Sequence, residues 1–306
     1  CTALKPETWN LRPVTANPQP ITHNPQECAI VPQFGLEDYL QLFVSGVSTG
    51  SIYVLIALGL ITIYNVTGVT NLAQGEFVML GAMGAVMLQR LGLPLGVACV
   101  GSVALAMVVG ALVYRLTIRP ARHAPDVTLI IITIGTAIAL RGLALLAWGT
   151  TSQALPEFTP GPPANVWGAV LSRQRLWIMG TAGVVLAALY LFFEGTLLGK
   201  AVRACAVNRR AAELAGIDAA AMALLSYTIS AALGAVAGIV IAPLTLVSYD
   251  MGLALGLKGF VVAIMGGLVS APAAVVGGLL LGVMESFASG LVSSGIKDAL
   301  AYLALF

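Results

Sequence analysis

A chain of 306 residues with 58% hydrophobic and only 9% charged residues cannot cover a water-facing surface, since an ordinary soluble domain carries about 25% charged residues. Fifteen Lys+Arg against thirteen Asp+Glu leave a net charge of +2, and the mean hydropathy is +0.95. These values exclude a soluble enzyme, a disordered chain and a nucleic-acid binder. They make lipid the main solvent and the class an all-α polytopic membrane protein.

Residues 1–38 form a polar tail with Pro6, Pro13, Pro18, Pro20, Pro25 and Pro32. No apolar run there is long enough for a signal peptide or a span, so an extended or disordered segment is expected. From residue 39 onward the charge gaps mark spans. Residues 39–75, 91–114, 176–193, 219–249 and 259–284 carry no charged side chain. About 20 apolar residues cross a hydrocarbon core as a helix. The runs are continuous and rich in Leu, Ala and Gly, which favours helices over barrel strands. About eight spans are expected: 40–64, 72–89, 94–117, 127–148, 176–193, 222–247, 257–280 and 283–306. Gly277, Gly278 and Gly282 blur the boundary between the last two. The chain stops at Phe306 inside an apolar run, so a further C-terminal piece is expected.

Between the first two spans lies N65-V-T-G-V-T-N-L-A-Q-G-E76. It is too polar for lipid and too lightly charged for an ordinary loop. Asn71 can cap the following helix, and Glu76 suits the positive end of its dipole. One reading is a capped helix start at the membrane surface. The other is an interrupted helix beside a substrate path, formed by Asn71, Gln74, Gly75 and Glu76.

Two loops are basic: one with Arg115, Arg119 and Arg122, the other with Lys200, Arg203, Arg209 and Arg210. Both are expected on the cytoplasmic side, with the Pro-rich 149–175 loop and the N-terminal tail outside. Arg173 and Arg175 count against that placement of the 149–175 loop. The second basic loop, within 195–221, reads as an Ala-rich helix stopping near Gly216. It could lie on anionic headgroups or dock a soluble partner.

Five ionisable residues fall in or beside spans: Glu76, Arg141, Asp250, Lys258 and Glu285. Membrane charge is costly, so each is a functional candidate. Arg141 can snorkel or pair with a carboxylate. Asp250 and Lys258 flank a short outside turn where water can solvate them, leaving Glu76 and Glu285 as the interior groups. Glycine pairs four apart (Gly46/Gly50, Gly234/Gly238, Gly252/Gly256, Gly278/Gly282) offer flat strips for helix packing, or for sliding helices. Neither C-x-x-C pairs, span histidines nor a G-x-x-x-x-G-K-[ST] loop occur, so metal, Ser–His and ATP-hydrolysing chemistry of this chain lack support.

Several strings carry a family resemblance. Gly50-Ser-Ile-Tyr53-Val-Leu-Ile-Ala57-Leu-Gly59, then Tyr64, Gly68 and Asn71-Leu-Ala-Gln74-Gly75-Glu76, resemble the first helix and N-x-A-[QH]-G-E motif of the branched-chain amino acid ABC transporter permeases of the LivH type. Leu198, Gly199, Arg203, Ala204, Asn208, Ala212, Leu214, Gly216 and Ile217 match the family's cytoplasmic loop. Gly252, Leu257-Lys258-Gly-Phe260, Gly266-Gly267, Ser270, Gly277-Gly278, Gly282 and Glu285 continue the pattern, with a departure at Val269.

The resemblance implies the ABC importer permease fold over 39–306 and a multi-pass place in the bacterial inner membrane. It implies a permease without enzymatic activity or bound cofactor, ATP being hydrolysed by partners. Those partners are a second permease subunit (LivM-like), two ATPase subunits and a periplasmic binding protein. It makes Gly199, Lys200, Arg203, Ala204, Arg209, Arg210, Ala212, Glu213, Gly216 and Ile217 the coupling segment, and Asn71, Gln74, Gly75, Glu76 and Glu285 the substrate-path residues. Branched-chain amino acids are the expected solute. Urea or short amides, or a stand-alone channel or secondary transporter, are the alternatives.

Overall fold

A computed structural model describes residues 35–122, 124–166, 169–291 and 303, and the described residues from Leu36 onward belong to one compact unit. In chain order the helices are α1 (Leu36–Thr67), α2 (Gln74–Arg90), α3 (Leu95–Val113), α4 (Asp126–Trp148), α5 (Arg173–Gly195), α6 (Leu197–Val207), α7 (Arg209–Leu214), α8 (Ala219–Ile241), α9 (Met251–Met265) and α10 (Ala271–Leu291). A π-helical turn, Tyr114–Ile118, extends α3. Among the described residues the sheet is one hairpin, β1 (Ala164–Val166) antiparallel to β2 (Ala169–Leu171), with Ala164 opposite Leu171. Of the expected 1–38 tail, residues 1–34 with their cysteines and histidine lie outside the described residues, as does His123, while Leu36, Glu37 and Asp38 are corrected to the first turn of α1.

Among the described residues six helices are long and apolar enough to cross a membrane: α1, α3 with its π turn, α4, α5, α8 and α10. The shorter α2 and α9 pack among them. The polytopic helical bundle is therefore as expected, with α2 (17 residues) and α9 (15 residues) shorter than those six.

The expected 257–280 span is corrected. The chain leaves the helix at Gly266, and Gly267 (φ 67°) and Leu268 (φ 59°) are left-handed. Leu268 N–H donates to the Ala263 carbonyl and Gly267 N–H to that of Ile264, the paired bonds of a Schellman stop. α10 then runs straight through the expected boundary at 280–283. Gly278 and Gly282 are packing positions there, not breaks. The rest of the expected 283–306 span, apart from Leu303, falls outside the described residues.

α1 is the central post: 89% of its apolar window is buried inside the bundle, against 11% for α5. Its glycine strip makes this possible. A methyl on Gly50 would sit 2.6 Å from the Gly278 carbonyl oxygen of α10, and one on Gly46 2.5 Å from the Val283 Cα. Only glycine lets the two backbones come so close. α8 fills the space between α1, α2 and α3.

The two basic loops share one end of the bundle. Tyr114 and Ile118 of the π turn pack in one apolar cluster with Val202, Cys205, Ala212 and Ala219, and Tyr114 meets the Tyr227 ring at 5.4 Å. The second basic loop is two helices rather than the expected one. Asn208 is extended (φ −154°) and its side-chain oxygen accepts from Ala211 N–H, so it ends α6 and caps α7. The expected stop at Gly216 holds, at φ 86°.

Candidate translocation site

The polar break after α1 returns the chain to the interior of the bundle. Gly68 takes φ 70° and donates its N–H to the Tyr64 carbonyl at 2.7 Å. A non-glycine residue would be strained at that turn. Asn71 Oδ1 then accepts from Ala73 N–H at 3.2 Å, and α2 begins at Gln74. Asn71 does not cap α2 as expected, because the N-cap position is Ala73 and no side chain caps it; Asn71 holds the turn before the helix and is fully buried rather than at a surface.

The expected path residues divide into two kinds. Gln74 is a packing pin: Ser230 Oγ donates to its Oε1 at 2.6 Å, and its Nε2 donates to the Ser230 carbonyl at 3.1 Å. Gly75 is a close-approach point, because a methyl on Gly256 of α9 would lie 2.8 Å from the Gly75 Cα. Asn71 and Glu76 instead keep unsatisfied polar atoms. Arg141 of α4 is ion-paired to Glu76 Oε1, while Glu76 Oε2, Arg141 Nε and Asn71 Nδ2 are buried without a hydrogen-bond partner. Arg141 therefore takes the carboxylate rather than snorkelling. Asn71, Gln74 and Arg141 line a cavity of about 380 Å³ with Gly252 and Gly256 on its far wall. Buried polar atoms without partners are rare, and a cavity beside them gives room for a polar guest.

Glu285 lies elsewhere. It accepts from Lys258 Nζ at 2.5 Å and from the Tyr53 hydroxyl at 2.7 Å. Lys258 is 7% exposed, which corrects its expected solvation beside an outside turn. α9 starts at Met251, so Lys258 sits two turns inside the helix and faces α10. Its intramembrane charge made Lys258 a functional candidate in the sequence, though not one of the expected path residues. Asp250 is exposed, as expected, and accepts from Ser248 Oγ at 2.5 Å.

At the basic end, Thr196 caps α6 by accepting from Gly199 N–H at 2.9 Å. A methyl on Gly199 would fall 2.7 Å from the Phe193 Cα, so glycine permits the tight corner from α5. Arg203 is paired to Glu194 across that corner, and Arg209 to Glu213 at 3.3 Å, all four side chains being close to half exposed. Lys200 and Arg210 are exposed. Ala212 is buried, Ala204 is partly buried, and Ile217 N–H closes α7 on the Ala212 carbonyl. Burial pushes the Cys205 thiol above its ordinary pKa. Leu197, Val207 and Leu214 are more than four-fifths exposed. Basic and apolar side chains thus stand together on one uncovered surface.

A family model described as a branched-chain amino acid transport system permease component matches residues 42–306. The chain is 32% identical over 278 residues to the high-affinity branched-chain amino acid transport system permease protein BraD of Pseudomonas aeruginosa, covering 86% of this chain and 91% of that one. It is 31% identical over 283 residues to LivH of Escherichia coli K12, with 87% and 91% covered. A probable LivH of Methanocaldococcus jannaschii is 30% identical over 248 residues, covering 77% of this chain and 76% of that one. This chain is a multi-pass inner-membrane protein of the branched-chain amino acid ABC transporter permease family.

Proposed function

We propose that this chain is the permease subunit of an ABC importer that moves branched-chain amino acids inward, fed by a periplasmic binding protein and driven by two ATPase subunits. A LivM-like second permease completes the membrane part. ATP is hydrolysed by the partners, and this chain binds no cofactor. The basic end faces the cytoplasm, because Arg115, Arg119, Arg122, Lys200, Arg203, Arg209 and Arg210 all gather there.

The observation that carries the transport reading is the interrupted α1–α2 connection. It brings Asn71 and Arg141 to one cavity, with Asn71 Nδ2 and Arg141 Nε as unpartnered donors and Oε2 of Glu76, the ion-pair partner of Arg141, as an unpartnered acceptor. An amino-acid zwitterion needs both signs of partner, and the Glu76–Arg141 pair offers both. Gln74 and Gly75 hold α2 against α8 and α9 at that point, so motion of α2 alters the cavity directly. The second element is the α6–α7 corner. Its exposed Lys200, Arg210, Leu197 and Leu214 suit the groove of a soluble ATPase, which would push α5 and α8 through it.

Uptake of labelled leucine and labelled urea in a strain lacking this chain tests the solute. Restoration of leucine uptake by the wild-type chain supports the reading; restoration of urea uptake alone overturns the amino-acid assignment. Co-purification of an ATPase in detergent separates the importer from a stand-alone channel.

A further inference from the structure

At the end of the bundle opposite the basic loops, α1, α5, α8, α9 and α10 enclose a second cavity of about 480 Å³. The start of α1, the start of α5 and the end of α8 all reach it, which places it at that end. Three charged groups line it: Arg175 of α5, Lys258 of α9 and Glu285 of α10. Lys258 and Glu285 are paired at 2.5 Å, and Tyr53 gives its hydroxyl to the other carboxylate oxygen. Arg175 is half-buried and makes no ion pair among the described residues. The cavity therefore holds two cations and one anion. A buried pair alone would be a structural feature. A third charged group on the same cavity, a guanidinium with no ion-pair partner among the described residues, attracts a carboxylate. Thr49, Ser289, Ile52 and Leu244 are among the other residues that line it.

We propose that this cavity is a binding site for a zwitterionic α-amino acid with an apolar side chain, held by Arg175, Lys258 and Glu285. The solute class rests on the transport reading above. Arg175 takes the carboxylate through its planar fork, the charge-assisted geometry that lysine cannot match. The ammonium group goes to Glu285, which keeps Lys258 as a second neighbour of the carboxylate. The apolar side chain lies on Ile52 and Leu244. The site is separate from the Asn71–Arg141 cavity, since α9 presents Gly252 and Gly256 to one and Lys258 to the other. A solute delivered at that end meets this cavity as a waystation. A neutral solute such as urea offers nothing to its charges.

Equilibrium binding of labelled leucine to the complete transporter in nanodiscs tests the proposal, with leucinamide, 4-methylvalerate and urea as competitors. Arg175→Gln is expected to weaken leucine binding about ten- to a hundredfold, the range for a lost hydrogen bond to a charged group. Its melting temperature should stay unchanged, because Arg175 has no ion-pair partner to lose. The double variant Lys258→Met with Glu285→Met replaces the pair without stranding a charge, and should fold yet bind as weakly. Leucinamide and 4-methylvalerate should compete at least about tenfold more weakly than leucine, each lacking one charge. Wild-type affinity in Arg175→Gln, or equal competition by leucinamide, overturns the proposal while leaving the transport reading intact. Failure of the wild-type transporter either to bind or to move leucine overturns both.

Discussion

Arg141 of α4 donates to Glu76 in the first turn of α2, joining residues 65 apart in sequence across the interior of the bundle. Glu76 is 2% exposed at its side chain and Arg141 23%. Each charge is tolerable in the membrane because the other is there. Arg141→Gln should therefore cost about 3 kcal/mol, the low end for stranding one member of a buried pair, since Arg141 retains some water. A fall in melting temperature in detergent reads this. Glu76→Gln combined with Arg141→Met should recover much of the stability without recovering uptake. Recovery of both would make the pair purely structural.

Close packing of α1 on α10 sets a second expectation. Gly50→Leu places a side chain where even a methyl would lie 2.6 Å from the Gly278 carbonyl oxygen. Overpacking of that kind costs at least about 1–3 kcal/mol, and backbone cannot yield as a side chain does. Loss of the monodisperse detergent-solubilised protein is expected. Gly135→Ala on α4 is the control, since a methyl there meets open space, and it should purify as wild type.

Function and stability should separate at the α6 corner. The Arg203–Glu194 pair is nearly half exposed on both sides, and such pairs contribute little to stability. Arg203→Glu should leave the melting temperature within about 4 °C while sharply reducing ATP-driven uptake. A large drop in melting temperature would show that Arg203 serves the fold instead. Combining it with Gly216→Pro should abolish coupling, because proline cannot adopt the φ of 86° found there.

Cys205 reports on the same corner. It is 3% exposed, and burial raises its pKa, so little thiolate is present at neutral pH. In a variant retaining Cys205 alone, maleimide labelling in the resting state should be at least about tenfold slower than in denaturant. Labelling that accelerates when ATP is added would show α6 moving away from the core. Fast labelling at rest would contradict its burial.

Much of this architecture was legible from where charges are missing. The expected 176–193 span lies inside α5, and 40–64 lies inside α1. Lipid forces long uncharged runs, so a charge gap is a physical ruler there. Gly266-Gly267 and Gly277-Gly278 look alike in sequence, yet one stops a helix and the other packs one. Only the left-handed backbone at Gly267 and Leu268 distinguishes them. For the site, Asn71 and Glu76 stood out as polar groups in an apolar setting. Gln74 and Gly75 stood out equally, yet they pack, because amides and glycines also bind membrane helices together. Arg141 was readable as paired or snorkelling, and its partner required the tertiary fold. Lys258 was assigned to water because the start of α9 was not visible in the sequence.

The most direct test of the transport role is uptake of labelled leucine into proteoliposomes holding this chain with its co-purified partners, the binding protein and ATP. Leucine uptake that stops without ATP and falls sharply in the Glu76→Gln with Arg141→Met variant is the expected result. Leucine flux that continues unchanged without ATP, or is indifferent to that double variant, would contradict it.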